Sequence, residues 1–319
     1  PLNAVPGKFK LRIEYREHPQ EQFSYVEKLI IINQNDIEYF IRPAYINDTD
    51  SSYFKKGEKE NTTYAELSNY VKTEREQIDL LEVVLMNYDK QNSTFYKQLI
   101  EEYNLRRDNF NIWIAEKQKQ YSTLYISHFL QFEYIPEINW EGTYKEKLKT
   151  KLTNYFNGIN FNDSLLIDLP EFTNMLAQYM GNWGELIESQ EDMINFYTKA
   201  GEIAIEKASK GDPKVYGWMV DYFLIGYESF NIASGMKMLE KHIQNPNCLT
   251  SKKREISRRI EGLKTLKTGT LAPNFEILDD KGKMFNFHKY QTNSPNKLIV
   301  FWSADCSHCE AIIKLLYEW

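Results

Sequence analysis

Leu298-Ile-Val-Phe-Trp-Ser-Ala-Asp-Cys-Ser-His-Cys-Glu310 is the stretch on which the reading of this chain turns. Leu298 to Trp302 is a short apolar run, rich in β-branched and aromatic residues and bounded by polar ones, and it predicts a fully buried strand. After three more residues comes Cys306-Ser307-His308-Cys309, followed by Ala311, Ile312, Leu315 and Leu316 at helical spacing. A Cys-x-x-Cys is therefore expected on a strand-to-helix turn, its first sulfur near the start of the helix. Free N–H groups and the helix dipole favour a thiolate there. Ten residues follow Cys309.

Composition narrows the classes. The 319 residues leave room for two or three domains and a substantial core. Hydrophobic residues make up 42% and charged residues 26%, as in ordinary globular proteins, whereas 14% aromatic, with 22 Tyr, is high. A net charge of −6 argues against a nucleic-acid footprint, which needs a basic stripe. No apolar run approaches the roughly 18 residues that span a bilayer. Pro1 reads as a processed or cut terminus, so the lack of a signal says nothing of compartment. Three cysteines are too few for a disulfide-stapled scaffold. Cys248, outside the motif, reads as a buried or boundary free thiol.

The first part of the chain, residues 1–46, reads as β and as an incomplete sheet. Phe9, Leu11, Ile13 and Tyr15 alternate with charged residues, as in a strand with one wet face. Leu29–Ile32 and Ile37–Ile41 flank Asn33-Gln34-Asn35-Asp36, a pattern that predicts a hairpin with a four-residue loop. The polar stretch 47–61 is expected to be a solvated linker rather than a calcium loop, because its acidic residues lack the required spacing. From 62 to 266 the period is helical. Thr63 and Glu66 suggest a capping box, and Ser93 can cap a second long helix pairing antiparallel with the first. Further helices are expected at about Ser122–Tyr134, Thr143–Phe156, Pro170–Met180, Gln190–Ser209, Pro213–Glu228, Ile232–Gln244 and Ser251–Thr265. Gly158, Gly181-Asn182, Gly184, Gly211-Asp212 and Asn245-Pro246-Asn247 read as separators. The basic cluster at Lys252–Arg254, Arg258 and Arg259 reads as a wet helix face. His18, His128 and His242 form no metal-ligand pattern, and His128 reads as a satisfied core or boundary imidazole. The last segment, 269–319, should open with a strand at Phe275–Leu278, a turn at Asp279–Gly282 and a strand at Met284–Phe287.

In order, Gly269-x-x-Ala272-Pro273-x-Phe275, Asp279-x-x-Gly282, Val300-Phe301-Trp302 and Cys306-x-x-Cys309 make this segment resemble thioredoxin-like proteins of the TlpA and peroxiredoxin-related (AhpC/TSA) group. Glu60-Asn61-x-x-Tyr64 and Tyr155-Phe156-Asn157-Gly158-Ile159-Asn160-Phe161-Asn162-Asp163 more weakly resemble multidomain extracytoplasmic proteins of the Bacteroidetes. In those, a small β domain and a helical domain precede the thioredoxin-like one. The resemblance implies an α+β chain: a mainly helical body, a small N-terminal β segment and the first half, a βαβ-type start, of a C-terminal thioredoxin-like fold. It implies a periplasm-facing or cell-envelope thiol–disulfide oxidoreductase without a cofactor, membrane-bound only through a lipid anchor outside this chain. Its partners would be protein or peptide thiols and disulfides and an upstream redox protein.

Carried over by position, Cys306 would be the attacking thiolate and Cys309 the resolving thiol. Ser307 and His308 would tune the pair, His308 standing where the strongly oxidising Dsb-type motif also has His. Trp302 and Phe301 would pack beneath the motif. Val300 departs from the family, many of whose members place a buried Asp there, and so does Lys314, where a helix-kinking Pro is usual. A closed zinc site needs four ligands, and no second Cys pair exists to supply them. A full domain of this class has roughly 100 residues or more, so about half of one is expected here. The alternative is a non-catalytic helical binding or scaffolding module with a degenerate or truncated tail.

Overall fold

Nine residue pairs decide how the β segment folds. Gly7–Tyr15 (β1) runs antiparallel to Ser24–Ile32 (β2), from Gly7 opposite Ile32 to Tyr15 opposite Ser24. Leu11, Ile13 and Tyr15 face the more protected side, while Arg12 and Glu14 lie outside. The expected pairing of Leu29–Ile32 with Ile37–Ile41 does not form among the described residues: β1 takes one edge of β2, and on the other the Asn61 side chain takes both polar groups of Ile31. Tyr39–Phe40 (β3) pairs with Tyr53–Phe54 (β4) instead. The computed structural model describes residues 6–16, 18–33, 37–48, 50–294, 296–303 and 305–318, with only the backbone of Ser307, His308, Glu310 and Ala311. Most of the expected 33–36 loop lies outside them.

The chain divides into two compact units, Pro1–Ile260 and Glu261–Trp319. The first is a mainly helical body with short antiparallel strand pairs. Its longest elements are Glu60–Asn87 (α1) and Thr94–Gln120 (α2), packed against each other. Ser93 caps α2 by accepting the Tyr96 N–H, as its position predicts. The Thr63–Glu66 box does not form, because α1 starts earlier. Glu58 takes the cap's part, its carboxylate accepting the N–H groups of Asn61 at 2.9 Å and Thr62 at 3.2 Å. The segment expected to be helical from Ser122 to Tyr134 yields only Ser127–Leu130 (α3) and a 3₁₀ turn over Gln131–Glu133. The N–H groups of Tyr125 and Ile126 go to the Glu60 carboxylate, at 2.7 and 3.2 Å, rather than into a helical ladder.

Tyr144–Asn154 (α4) carries a complete Thr143–Glu146 capping box, and Pro170–Gly184 (α5) begins with Pro170 at its first turn. Gly181, Asn182 and Gly184, read as separators, lie inside α5. Gln190–Ala208 (α6), Pro213–Ser229 (α7), Ala233–Met238 (α8) and Glu240–Ile243 (α9) each pack on the next. The core is aromatic. Tyr103, Phe110, Phe156, Phe172, Tyr179, Tyr216 and Tyr227 are all but fully buried. Lys253–Thr265 (α10) buries Ile256 and Ile260, and Arg259 pairs with Glu228 at 2.5 Å on the wet side.

In the second unit Glu276–Leu278 (β5) pairs antiparallel with Met284–Asn286 (β6) around the expected turn. Asp279 closes that turn by accepting the N–H groups of Lys281 and Lys283, and Gly282 supplies the positive φ of 76°. Phe275 stacks on Phe287, and Phe285 packs on Tyr290, forming a small aromatic cluster. The run Leu298–Trp302 is not the buried strand that its composition predicts. It pairs with no strand, and Phe301 is 88% and Trp302 56% exposed. A strand of this type is buried only where ladders flank it and helices cover it. Among the described residues of this unit the one sheet is β5–β6, three residues long on each side.

Candidate redox site

Ser307–Glu318 (α11) starts immediately after Cys306, so the first cysteine occupies the N-cap position. Its N–H donates to the Ser303 carbonyl at 3.2 Å, and the Asp305 N–H to Ser303 Oγ at 3.3 Å. These two bonds turn the chain from the extended run into the helix. The Cys309 N–H then donates to Cys306 Sγ at 3.3 Å. The sulfur thus takes the place that a Ser or Asp oxygen takes at an ordinary N-cap, facing a donor that carries the positive end of the helix dipole. Both cysteines are free thiols and half-buried. Cys309, Ile313 and Leu316 share the more protected face of α11; of the apolar residues expected there Leu316 is protected, whereas Ile312 and Leu315 are exposed.

The remaining expected residues fall as follows. Ser307 and His308 lie in the first turn of α11, and their side chains lie outside the described atoms. Phe301 and Trp302, expected beneath the motif, are exposed, and Val300 is partly exposed. Cys248 is buried in the other unit, where burial pushes its thiol up to about 11, a state that suppresses thiolate chemistry.

The residues behind the weaker resemblance form the joints of the first unit. Glu60 is buried and satisfied by the two N–H groups of the 125–126 turn. Asn61 accepts the Ile31 N–H at 2.7 Å and donates to the Ile31 carbonyl at 2.9 Å, tying β2 to α1. Asp163 caps the 3₁₀ turn Ser164–Asp168 and meets His128 Nδ1 at 2.5 Å. His128 is thus a satisfied boundary imidazole, as its sequence neighbours predict. Among the described residues no cluster of three or more His, Cys, Asp or Glu is arranged to hold a metal, and no helix is long and apolar enough to cross a membrane. No family model, curated protein or solved structure matches the chain.

Proposed function

We propose that Cys306 and Cys309 are the redox pair of an extracytoplasmic thiol–disulfide oxidoreductase whose C-terminal unit belongs to a thioredoxin-like domain. The observation that carries the reading is the Cys309 N–H donated to Cys306 Sγ at the start of α11. A sulfur so placed gains most from ionisation, the first requirement of an attacking thiol. In the proposed step the Cys306 thiolate attacks one sulfur of a substrate disulfide, forming a mixed disulfide and releasing the other sulfur as a thiolate. Cys309, giving up its proton, then attacks Cys306 Sγ and releases the second substrate thiolate, which takes up a proton. The substrate gains two electrons and the enzyme pair is oxidised to a disulfide. A donor dithiol restores it. Transfer outside the cytoplasm rests on the motif resemblance.

The test is turbidimetric reduction of insulin with dithiothreitol as donor. The protein should accelerate precipitation and Cys306→Ser should remove the acceleration. An unchanged rate in Cys306→Ser would sink the reading. Thiolate absorbance should place the Cys306 pKa below the ~8.5 of free cysteine; an ordinary value would leave helix and His308 without a tuning role. The exposure of Leu298–Trp302 favours a second reading, a helical binding module whose tail is not catalytic. It predicts that wild type and Cys306→Ser are equally inert.

A further inference from the structure

Three amide side chains stand in register along one face of α5: Asn174, Gln178 and Asn182, at i, i+4 and i+8. All three line one cleft of about 490 Å³ in the helical unit, whose walls include Tyr134, Pro136 and Met175. The side-chain amides of Asn174 and Asn182 have no hydrogen-bond partner among the described residues. Gln178 accepts from Tyr155 Oη at 3.3 Å through Oε1, which leaves its Nε2 donors to spare. A second cleft, of about 400 Å³, shares Arg75, Phe132 and Glu171 with the first. At that shared wall Glu171 pairs with Lys8 through Oε1 at 3.2 Å, while its Oε2 is buried with no partner.

We propose that this cleft binds an extended polypeptide segment by its backbone. Residues four apart on a helix rise by about 6 Å. Residues two apart in an extended chain are about 6.6–6.8 Å apart. Each amide of the ladder can therefore meet the same edge of every second peptide unit, and an amide both donates and accepts, as a peptide unit does. The two steps between the three amides cover about 12 Å, or close to four extended residues. Side chains alternate across an extended strand, so one set would face the Phe132, Tyr134 and Met175 wall and the other solvent. Sugar hydroxyls also bind amides and aromatic rings but carry no such two-residue repeat of N–H and C=O. The site lies wholly within the Pro1–Ile260 unit and does not rest on the cysteine chemistry.

The test uses the full chain and pools of fluorescein-labelled, end-capped hexapeptides, read by fluorescence polarisation. Wild type should bind some pools, and Asn174→Ala/Asn182→Ala should weaken the binding at least tenfold with an unchanged thermal melt. Cys306→Ser should bind as wild type. For the best pool, N-methylating every second residue should abolish binding in one phase and change it less than twofold in the other. Four results would overturn the proposal: no pool binding wild type, the double variant binding as wild type, both N-methyl phases behaving alike, or an oligosaccharide array being retained while peptides are not.

Discussion

At the scale of single residues, Asn61 shows how one amide substitutes for a strand. It occupies both polar groups of Ile31, a residue with no measurable exposure, and is itself 2% exposed. Asn61→Ala strands a buried N–H and a buried carbonyl, so it should cost about 2–6 kcal/mol, measured by urea unfolding, at about 1–3 kcal/mol for each orphaned group. A loss within 0.5 kcal/mol would mean that water reaches both. The His128–Asp163 pair makes a pH-dependent claim. The hydrogen bond to Asp163 raises the His128 pKa against the opposing effect of burial, and the charge of Glu60 adds to the rise. Burial works to raise the Asp163 carboxyl, yet the bonds from His128, the Leu165 N–H and Gln131 outweigh it and hold it below the usual range. A raised His contributes fully below its unfolded pKa, about 6.5, and loses that contribution as pH climbs through the folded value. A lowered Asp contributes above its unfolded pKa, about 3.9, and fades as pH falls through the folded value. The pair is therefore strongest between about pH 4 and 6.5. The stability gap between wild type and Asp163→Asn should be larger at pH 5.5 than at pH 9. A gap that does not change between the two would refute an ionic role.

At the scale of elements, what sequence patterns leave out is the neighbour each helix meets. Lys147 on α4 is buried, yet its Nζ donates at 2.8 Å to the Leu85 carbonyl in the last turn of α1, where Tyr96 Oη also donates. A cation from another helix thus satisfies a terminal carbonyl at the negative end of the α1 dipole. Helix α7 gives an internal control on close approach. A Cβ on Gly217 would lie 2.2 Å from the Leu249 carbonyl carbon, a backbone atom that cannot turn aside, whereas one on Gly226 would meet nothing within 4 Å. Gly217→Ala should therefore destabilise by about 3 kcal/mol. Gly226→Ala on the same helix should stabilise by about 0.5–1 kcal/mol through helix propensity. Urea midpoints of the two variants moving the same way would contradict the packing of α7 on the 249–250 backbone.

At the scale of the molecule, the two units differ in how much they bury. Val215, Met219, Val220 and Leu224 of α7 are completely buried, whereas Leu298, Phe301, Trp302, Leu315 and Tyr317 are exposed. Hydrogen exchange followed by mass spectrometry should find strong protection across α6 and α7 and near-intrinsic exchange at 298–302, whose amides enter no ladder. Protection at 298–302 equal to that of α7 would show that the run is covered in solution. The sequence by itself determined the features that depend on near neighbours. The Ser93 and Thr143 caps, Pro170 at the head of α5, the Asp279–Gly282 turn and the placing of Cys306 at a helix start all follow from spacings of a few residues. Only the tertiary structure decided which groups separated by tens of residues would meet. Glu60 reached the 125–126 turn and ended a predicted helix, Asn61 took the edge of β2 that the 37–41 run was expected to fill, and Asn174, Gln178 and Asn182 came to share a cleft with Tyr134 and Glu171. The apolar run at 298–302 marks the boundary between the two. Its composition states a preference for burial, but burial needs partners along both edges and over both faces, and no local pattern can supply them.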